Sequence, residues 1–120
     1  MFKKVAFTMY PVKDWKRARA FYEGTLGLTP GSKSSDGVWT EYDLPGGGCV
    51  ALFGNKGNEP SAEGGASVAL EVEDLDALIA RLKAEGVKFK AEMVRSPVCR
   101  MSIILDSEGN SIVLHQLDKR

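Results

Sequence analysis

The sequence predicts an α+β protein made of two tandem βαβββ modules. Two observations carry that expectation. The order strand, helix, three strands is written twice, before and after a polar stretch, "GNKGNEPSAEGG", at 54–65. Each copy also reaches a Val-x-Asp step, Val12–Asp14 and Val72–Asp74, just ahead of a helical pattern that stops at a glycine, Gly27 or Gly86. Self-similarity of this kind marks a duplicated supersecondary unit.

The elements run in order along the chain. "KKVAFTMY" at 3–10 is rich in β-branched and aromatic residues and reads as a strand. Asp14 then caps a helix, because a short acidic side chain accepts from the free N–H groups of a first turn. Trp15, Ala18, Phe21, Tyr22 and Leu26 recur at helical spacing and make one apolar face. Gly27 ends it, as a residue just past a helix C-terminus does. Strands are expected near 28–34, 37–44 and 48–54, parted by "SSDG" and "PGGG", both turn chemistry. In the second copy "ASVALEVED" supplies a strand, and Asp74 caps a helix with Leu75, Leu78, Ile79 and Leu82 on one face. Strands near 88–94, 98–105 and 111–117 complete it, with "DSEGN" as the last turn. The chain thus reads as one domain over 1–120: module one at about 1–54, a linker at 55–65 and module two at about 66–120. "AFTMYPVKD" (6–14) overlays "SVALEVED" (67–74) if Pro11 is taken as a one-residue insertion.

Bulk properties exclude several functions. With 16 basic and 16 acidic residues the formal net charge is zero, and no basic run exceeds a pair. A nucleic-acid binder needs a concentrated positive face, so none is expected as partner. The apolar runs are strand-sized, far short of a membrane span. The start "MFKKVAFTMYP" lacks the pattern of a secretory leader, so a cytoplasmic protein is expected. Cys49 and Cys99 then read as small buried hydrophobes, not a disulfide. A small molecule is the expected partner.

The duplicated βαβββ unit, with "VKD…RARAFYEGTLGL" early and "DSEGNSIVL" late, resembles the vicinal oxygen chelate superfamily of glyoxalases, bleomycin resistance proteins and extradiol dioxygenases. The resemblance spans essentially the whole chain. It implies that the two modules form a cup-like, barrel-shaped mixed sheet, with facing modules paired within a chain or across a homodimer. In such proteins the cup usually holds a divalent ion, bound by His and Glu, that keeps open positions for substrate oxygens. Carried onto this chain, the first-strand ligand position falls on Ala6, or on Phe7 without the insertion. The fifth-strand position is Ser67 and the last-strand position Val113, while the fourth strand, "CVALF" at 49–53, has no acid. Alanine, phenylalanine and valine cannot ligate, and serine alone is feeble, so no cofactor is expected. A divalent metal remains conceivable only through a rearranged set such as Glu41, Cys49 and His115.

Strand alternation sorts the residues left to line the cup. Ser67, Ala69 and Glu71 share one face, and by the duplication so do Ala6, Thr8 and Tyr10. Ser111, Val113 and His115 likewise point into the cup. Trp39, Glu41 and Asp43 are on one face, its direction undetermined, and Arg100 and Ser102 share the polar parity of their strand. The expected cluster is Tyr10, Glu41, Arg100 and His115 with Trp39 as an apolar wall and Ser67 and Val113 at the vanished ligand positions. His115, the one histidine of the chain, is either a general acid–base or substrate anchor, or an idle residue near a strand end. Glu41 is a candidate base or a pair partner. Arg100 either grips a substrate carboxylate or bridges to Glu41, Glu71 or Glu92. Trp39 either stacks on a ligand or is plain core or dimer contact.

Three functional expectations result. The first is a glyoxalase-like, bleomycin-resistance-type protein that binds a small molecule in its cup without metal. The second is a lyase- or dioxygenase-related enzyme with a rearranged metal site or metal-free acid–base chemistry. The third is a partner protein whose cup edge is mainly a dimer interface.

Overall fold

A computed structural model describes residues 1–54, 57 and 59–118. The chain divides into two compact units, Met1–Pro60 and Ser61–Arg120, each a four-stranded mixed sheet with helix on one side. Residues 55, 56 and 58 of the expected linker lie outside the described residues.

In the first unit β1 (Thr8–Pro11) leads to α1 (Trp15–Arg19), then β2 (Pro30–Lys33), β3 (Trp39–Asp43) and β4 (Cys49–Phe53), in the sheet order β1-β4-β3-β2. β1 runs parallel to β4, and the other pairs are antiparallel. β1 is shorter than the predicted 3–10 strand, because pairing begins only where Thr8 meets Val50 near the start of β4. β2 is also short and shifts register between Pro30 and Lys33. Pro30 has no N–H for a ladder, which suits it to an edge strand.

Asp14 caps α1 as predicted, its carboxylate accepting from the Lys16 and Arg17 N–H groups. The single regular helix predicted from this cap to Gly27 does not form. From Ala20 to Thr25 the chain widens into a π-helix, in which the Leu26 N–H donates five residues back to the Phe21 carbonyl. The wide turn lets two consecutive residues address one partner on β3. Tyr22 stacks on Tyr42 with centroids 5.8 Å apart, while Glu23 accepts the Tyr42 hydroxyl at 2.9 Å and pairs with Arg19. Gly27, at φ 76°, closes the helix.

The second unit repeats the plan with β5 (Val68–Glu71), α2 (Leu75–Ala84), β6 (Phe89–Arg95), β7 (Cys99–Leu105) and β8 (Ser111–Leu117), ordered β5-β8-β7-β6. Asp74 caps α2, and Gly86 at φ 79° comes just after it. The Asp106 carboxylate accepts from the Glu108 and Asn110 N–H groups and so ties the turn into β8.

The two copies superimpose in register without any insertion. Met9 lies opposite Ala51 as Ala69 lies opposite Val113, and Pro11 opposite Phe53 as Glu71 opposite His115. The Val12 N–H donates to the Phe53 carbonyl, and the Val72 N–H to the His115 carbonyl. Pro11 is therefore the counterpart of Glu71, and the expected one-residue shift is corrected.

In each unit the helix covers one face of its sheet. Tyr10, Val12, Ala18, Tyr22, Tyr42, Val50 and Leu52 form the first core, and Leu75, Leu82, Ile104, Ile112 and Leu114 the second. Fully burying side chains of this size contributes roughly 1.5–3 kcal/mol each. Both cysteines are free thiols.

Two substitutions test this packing. Gly37 sits at φ 79°, and a Cβ there would lie 2.3 Å from Trp15 Cε2. Gly37→Ala is expected to cost about 1–3 kcal/mol in urea unfolding; a change below about 0.5 kcal/mol would show that Trp15 does not seat on this turn. Tyr42→Phe keeps the ring stack but leaves Glu23 without the hydroxyl, and should cost about 1 kcal/mol in the same assay. A neutral result would mean that Glu23 is held by Arg19 alone.

Candidate functional site

The face of each sheet that its helix does not cover is where polar and aromatic side chains collect. In the first unit β3 presents Trp39, Glu41 and Asp43 on that face, which settles their direction. Their strand partners there are Phe53, Ala51 and Cys49. The rings of Phe7 and Trp39 meet edge to face at 5.1 Å, and those of Trp39 and Phe53 at 5.8 Å. Phe7 and Met9, at the edge strand β1, remain 44% and 41% exposed. The result is an aromatic strip with one polar margin. Trp39 Nε1 donates to Glu41 Oε2 at 2.7 Å, fixing the indole's orientation.

Glu41, Asp43 and Cys49 bring one ligand atom each to within 4.8 Å of one another, the one such group of three among the described residues. One Glu41 oxygen is taken by Trp39, and burial together with the Asp43 and Glu41 charges pushes the Cys49 thiol up, so it keeps its proton.

In the second unit the uncovered face carries Ala69 and Glu71 from β5, Val113 and His115 from β8, and Met101 and Ile103 from β7. His115 has a partner that sequence reading did not assign to it. Its Nδ1 lies 2.5 Å from Glu71 Oε1, and the other Glu71 oxygen accepts the Leu117 N–H at 2.9 Å. The Leu117 N–H first, and His115 second, hold the Glu71 carboxyl below the usual glutamate range.

Two predicted cup residues belong elsewhere. Tyr10 is only 6% exposed and shares its face with buried Leu52 and Val12, in the core under the helix. The physical reason is the register: without an insertion, Met9 and not Tyr10 points away from α1. Arg100 is likewise on the helix side of its sheet. Its guanidinium donates to Asp76 of α2 at 3.0 Å and to Gln116 at 3.2 Å, so its ion pair is with Asp76 and not with Glu41, Glu71 or Glu92. The Gln116 oxygen also accepts the Leu75 N–H, which binds the start of α2 to β8. The expected cluster of Tyr10, Glu41, Arg100 and His115 is therefore not one constellation. Trp39 and Glu41 stand together in the first unit, and Val113 and His115 in the second, with Ser67 exposed just ahead of β5.

The positions that resemblance assigns to metal ligands can be tested against these registers. Phe7 precedes β1 as Ser67 precedes β5. Ala51, fully buried between Met9 and Glu41, is the counterpart of Val113 between Ala69 and Ile103. A phenyl ring packed on Trp39, a methyl, an isopropyl and one hydroxyl offer no set of donors for a divalent ion. The residues present do not fit that metal.

Sequence reading missed Glu71 as partner of His115 and Phe53 as part of the strip. The available signal was the parallel pairing of each module's first and last strands, which sets Glu71 beside His115 and Pro11 beside Phe53.

A profile of the Glyoxalase/Bleomycin resistance protein/Dioxygenase superfamily matches residues 4–114. Among solved structures the chain is similar to TnmS3, an antibiotic binding protein from Streptomyces sp. CB03234, at 26% identity and a TM-score of 0.77, covering 98% of each chain. It is similar in fold to UcmS2, at 24% identity and a TM-score of 0.77 over 96% of this chain and 98% of that one. Lactoylglutathione lyase from Agrobacterium tumefaciens shares the fold at 19% identity and a TM-score of 0.75, over 96% of this chain and 94% of that one. No curated protein matches the sequence. No helix among the described residues is long and apolar enough to cross a membrane. With the profile covering nearly its whole length and the duplicated βαβββ units in place, the chain belongs to the Glyoxalase/Bleomycin resistance protein/Dioxygenase superfamily.

Proposed function

We propose that this protein binds a small, planar, largely apolar molecule on an uncovered sheet face, without a metal ion. The observation that carries the reading is the aromatic strip of Phe7, Trp39 and Phe53, with Phe7 standing where a metal ligand is expected. Aromatic faces stack on planar ligands, and a site built mainly of such side chains with a few oriented polar groups is the usual make-up of a small-molecule pocket. The likeness to TnmS3, described as an antibiotic binding protein, supports the same reading. A second reading, an enzyme working by metal-free acid–base chemistry, is favoured by one observation, the Glu71–His115 pair.

Calorimetric titration with a panel of antibiotics carrying fused aromatic rings tests the first reading. Saturable binding by at least one compound is expected, with Trp39→Leu weakening it roughly ten-fold, about the worth of one stacked ring plus its lost area. Unchanged affinity in Trp39→Leu, or no saturable binding across the panel, would overturn it.

Elemental analysis checks the metal. Protein purified without chelator and without added metal should carry far less than one divalent ion per chain, in wild type and in His115→Ala alike. A near-stoichiometric ion that disappears in His115→Ala would favour a rearranged chelating enzyme instead.

A further inference from the structure

We propose that Glu71 and His115 form an acid–base pair that recognises an ionisable hydroxyl of the ligand, a phenol or an enol, by taking its proton onto His115 Nε2. The inference rests on the reading that an uncovered sheet face of this chain holds a ligand, and it adds the chemistry of one contact.

The geometry sets the proton's place. The residues are 44 apart in sequence, yet the parallel pairing of β5 with β8 sets them side by side. One Glu71 oxygen faces Nδ1 at 2.5 Å and the other is anchored by the Leu117 N–H, so the carboxylate cannot swing away without losing a backbone hydrogen bond. An ionised carboxylate at this distance fixes the proton of a neutral imidazole on Nδ1 and leaves Nε2 as a bare acceptor. Glu71 is the one hydrogen-bond partner of the His115 ring among the described residues, so Nε2 is uncommitted within the second unit.

The surroundings make that acceptor selective. From β7 the residue opposite His115 is Met101, and on its own strand Val113 and Leu117 share its face. Glu71 on β5 is the charged group facing the ring. On the helix side Asp76 is occupied by Arg100. A neutral apolar group laid over this patch would take Nε2 out of water and leave it unpaired, which costs free energy. A hydroxyl satisfies it, and an acidic one does more. When the phenol or enol O–H passes its proton to Nε2, the resulting imidazolium lies between the ligand's oxyanion and the Glu71 carboxylate, an arrangement of charge-assisted hydrogen bonds on both sides. Glu71 acts as the positioning residue and His115 as the group that touches the ligand.

The probes are para-nitrophenol, whose absorbance reports its ionisation, and para-nitroanisole, the same ring with the hydroxyl methylated. Wild-type protein should bind the phenol roughly ten-fold more tightly than the anisole, the worth of one charge-assisted hydrogen bond. It should also raise the phenolate absorbance at a pH where free phenol is mostly protonated. Glu71→Gln and His115→Gln should each abolish the preference for the phenol over the anisole. Because the chain has a single histidine, its imidazole NMR signal is unambiguous. The neutral ring's nitrogen shifts should report the Nδ1–H tautomer in wild type and lose that preference in Glu71→Gln. Equal affinity for phenol and anisole, or a preference retained in His115→Gln, would overturn the proposal and leave ligand binding intact. A tautomer preference unchanged in Glu71→Gln would remove the pair itself. Failure of both probes to bind wild type would sink the binding reading and the proposal together.

Discussion

A four-stranded sheet served by one helix can bury only one of its faces. Everything functional in this chain depends on that constraint. Side chains alternate along a strand, so once Tyr42, Val50 and Leu52 are committed to the helix side, Glu41, Ala51 and Phe53 have nowhere to go but the other. In the second unit Ile104, Ile112 and Leu114 are committed in the same way, and Ile103, Val113 and His115 are turned to the opposite face. The core residues thereby decide which side chains are available for chemistry.

The duplication lets the two faces be compared position by position. Phe53 and His115 occupy the same place in their registers, as do Trp39 and Met101, and Glu41 and Ile103. The first face is aromatic with an acidic margin and the second is aliphatic with one carboxylate–imidazole pair. The backbone frame is shared down to the hydrogen bond just past each first strand, from Val12 and from Val72. The frame has been kept, and the side chains it presents have diverged.

Electrostatics sharpen the difference. Glu71 is held ionised by a backbone N–H and an imidazole, so it is ready to orient its neighbour. Cys49 is pushed the other way by burial and two nearby carboxylates, and a thiol that keeps its proton is no nucleophile. Two polar clusters thus differ in what they are able to do: one positions a proton and the other merely edges an aromatic strip. The ion pair of Arg100 with Asp76, in turn, belongs to the helix–sheet contact.

Sequence alone determined the duplicated βαβββ plan, both Asp caps and both closing glycines, because each is written in local chemistry: hydrophobic period, a short acidic cap, a residue free to adopt positive φ. The family resemblance, in turn, assigns ligand positions to Val113 and Ser67. Sequence reading failed at Tyr10, at Arg100 and at the regular helix predicted across 20–25. The first two depend on which parity faces the helix, and Pro11 made a false insertion plausible until the parallel register between β1 and β4 excluded it. The third depends on Tyr42, a residue on another strand that both Tyr22 and Glu23 must reach. Only tertiary structure decided that Glu71 meets His115 and that Phe7, Trp39 and Phe53 meet each other. Those contacts join residues far apart in the chain, and their distances are set by strand pairing, which no local pattern records.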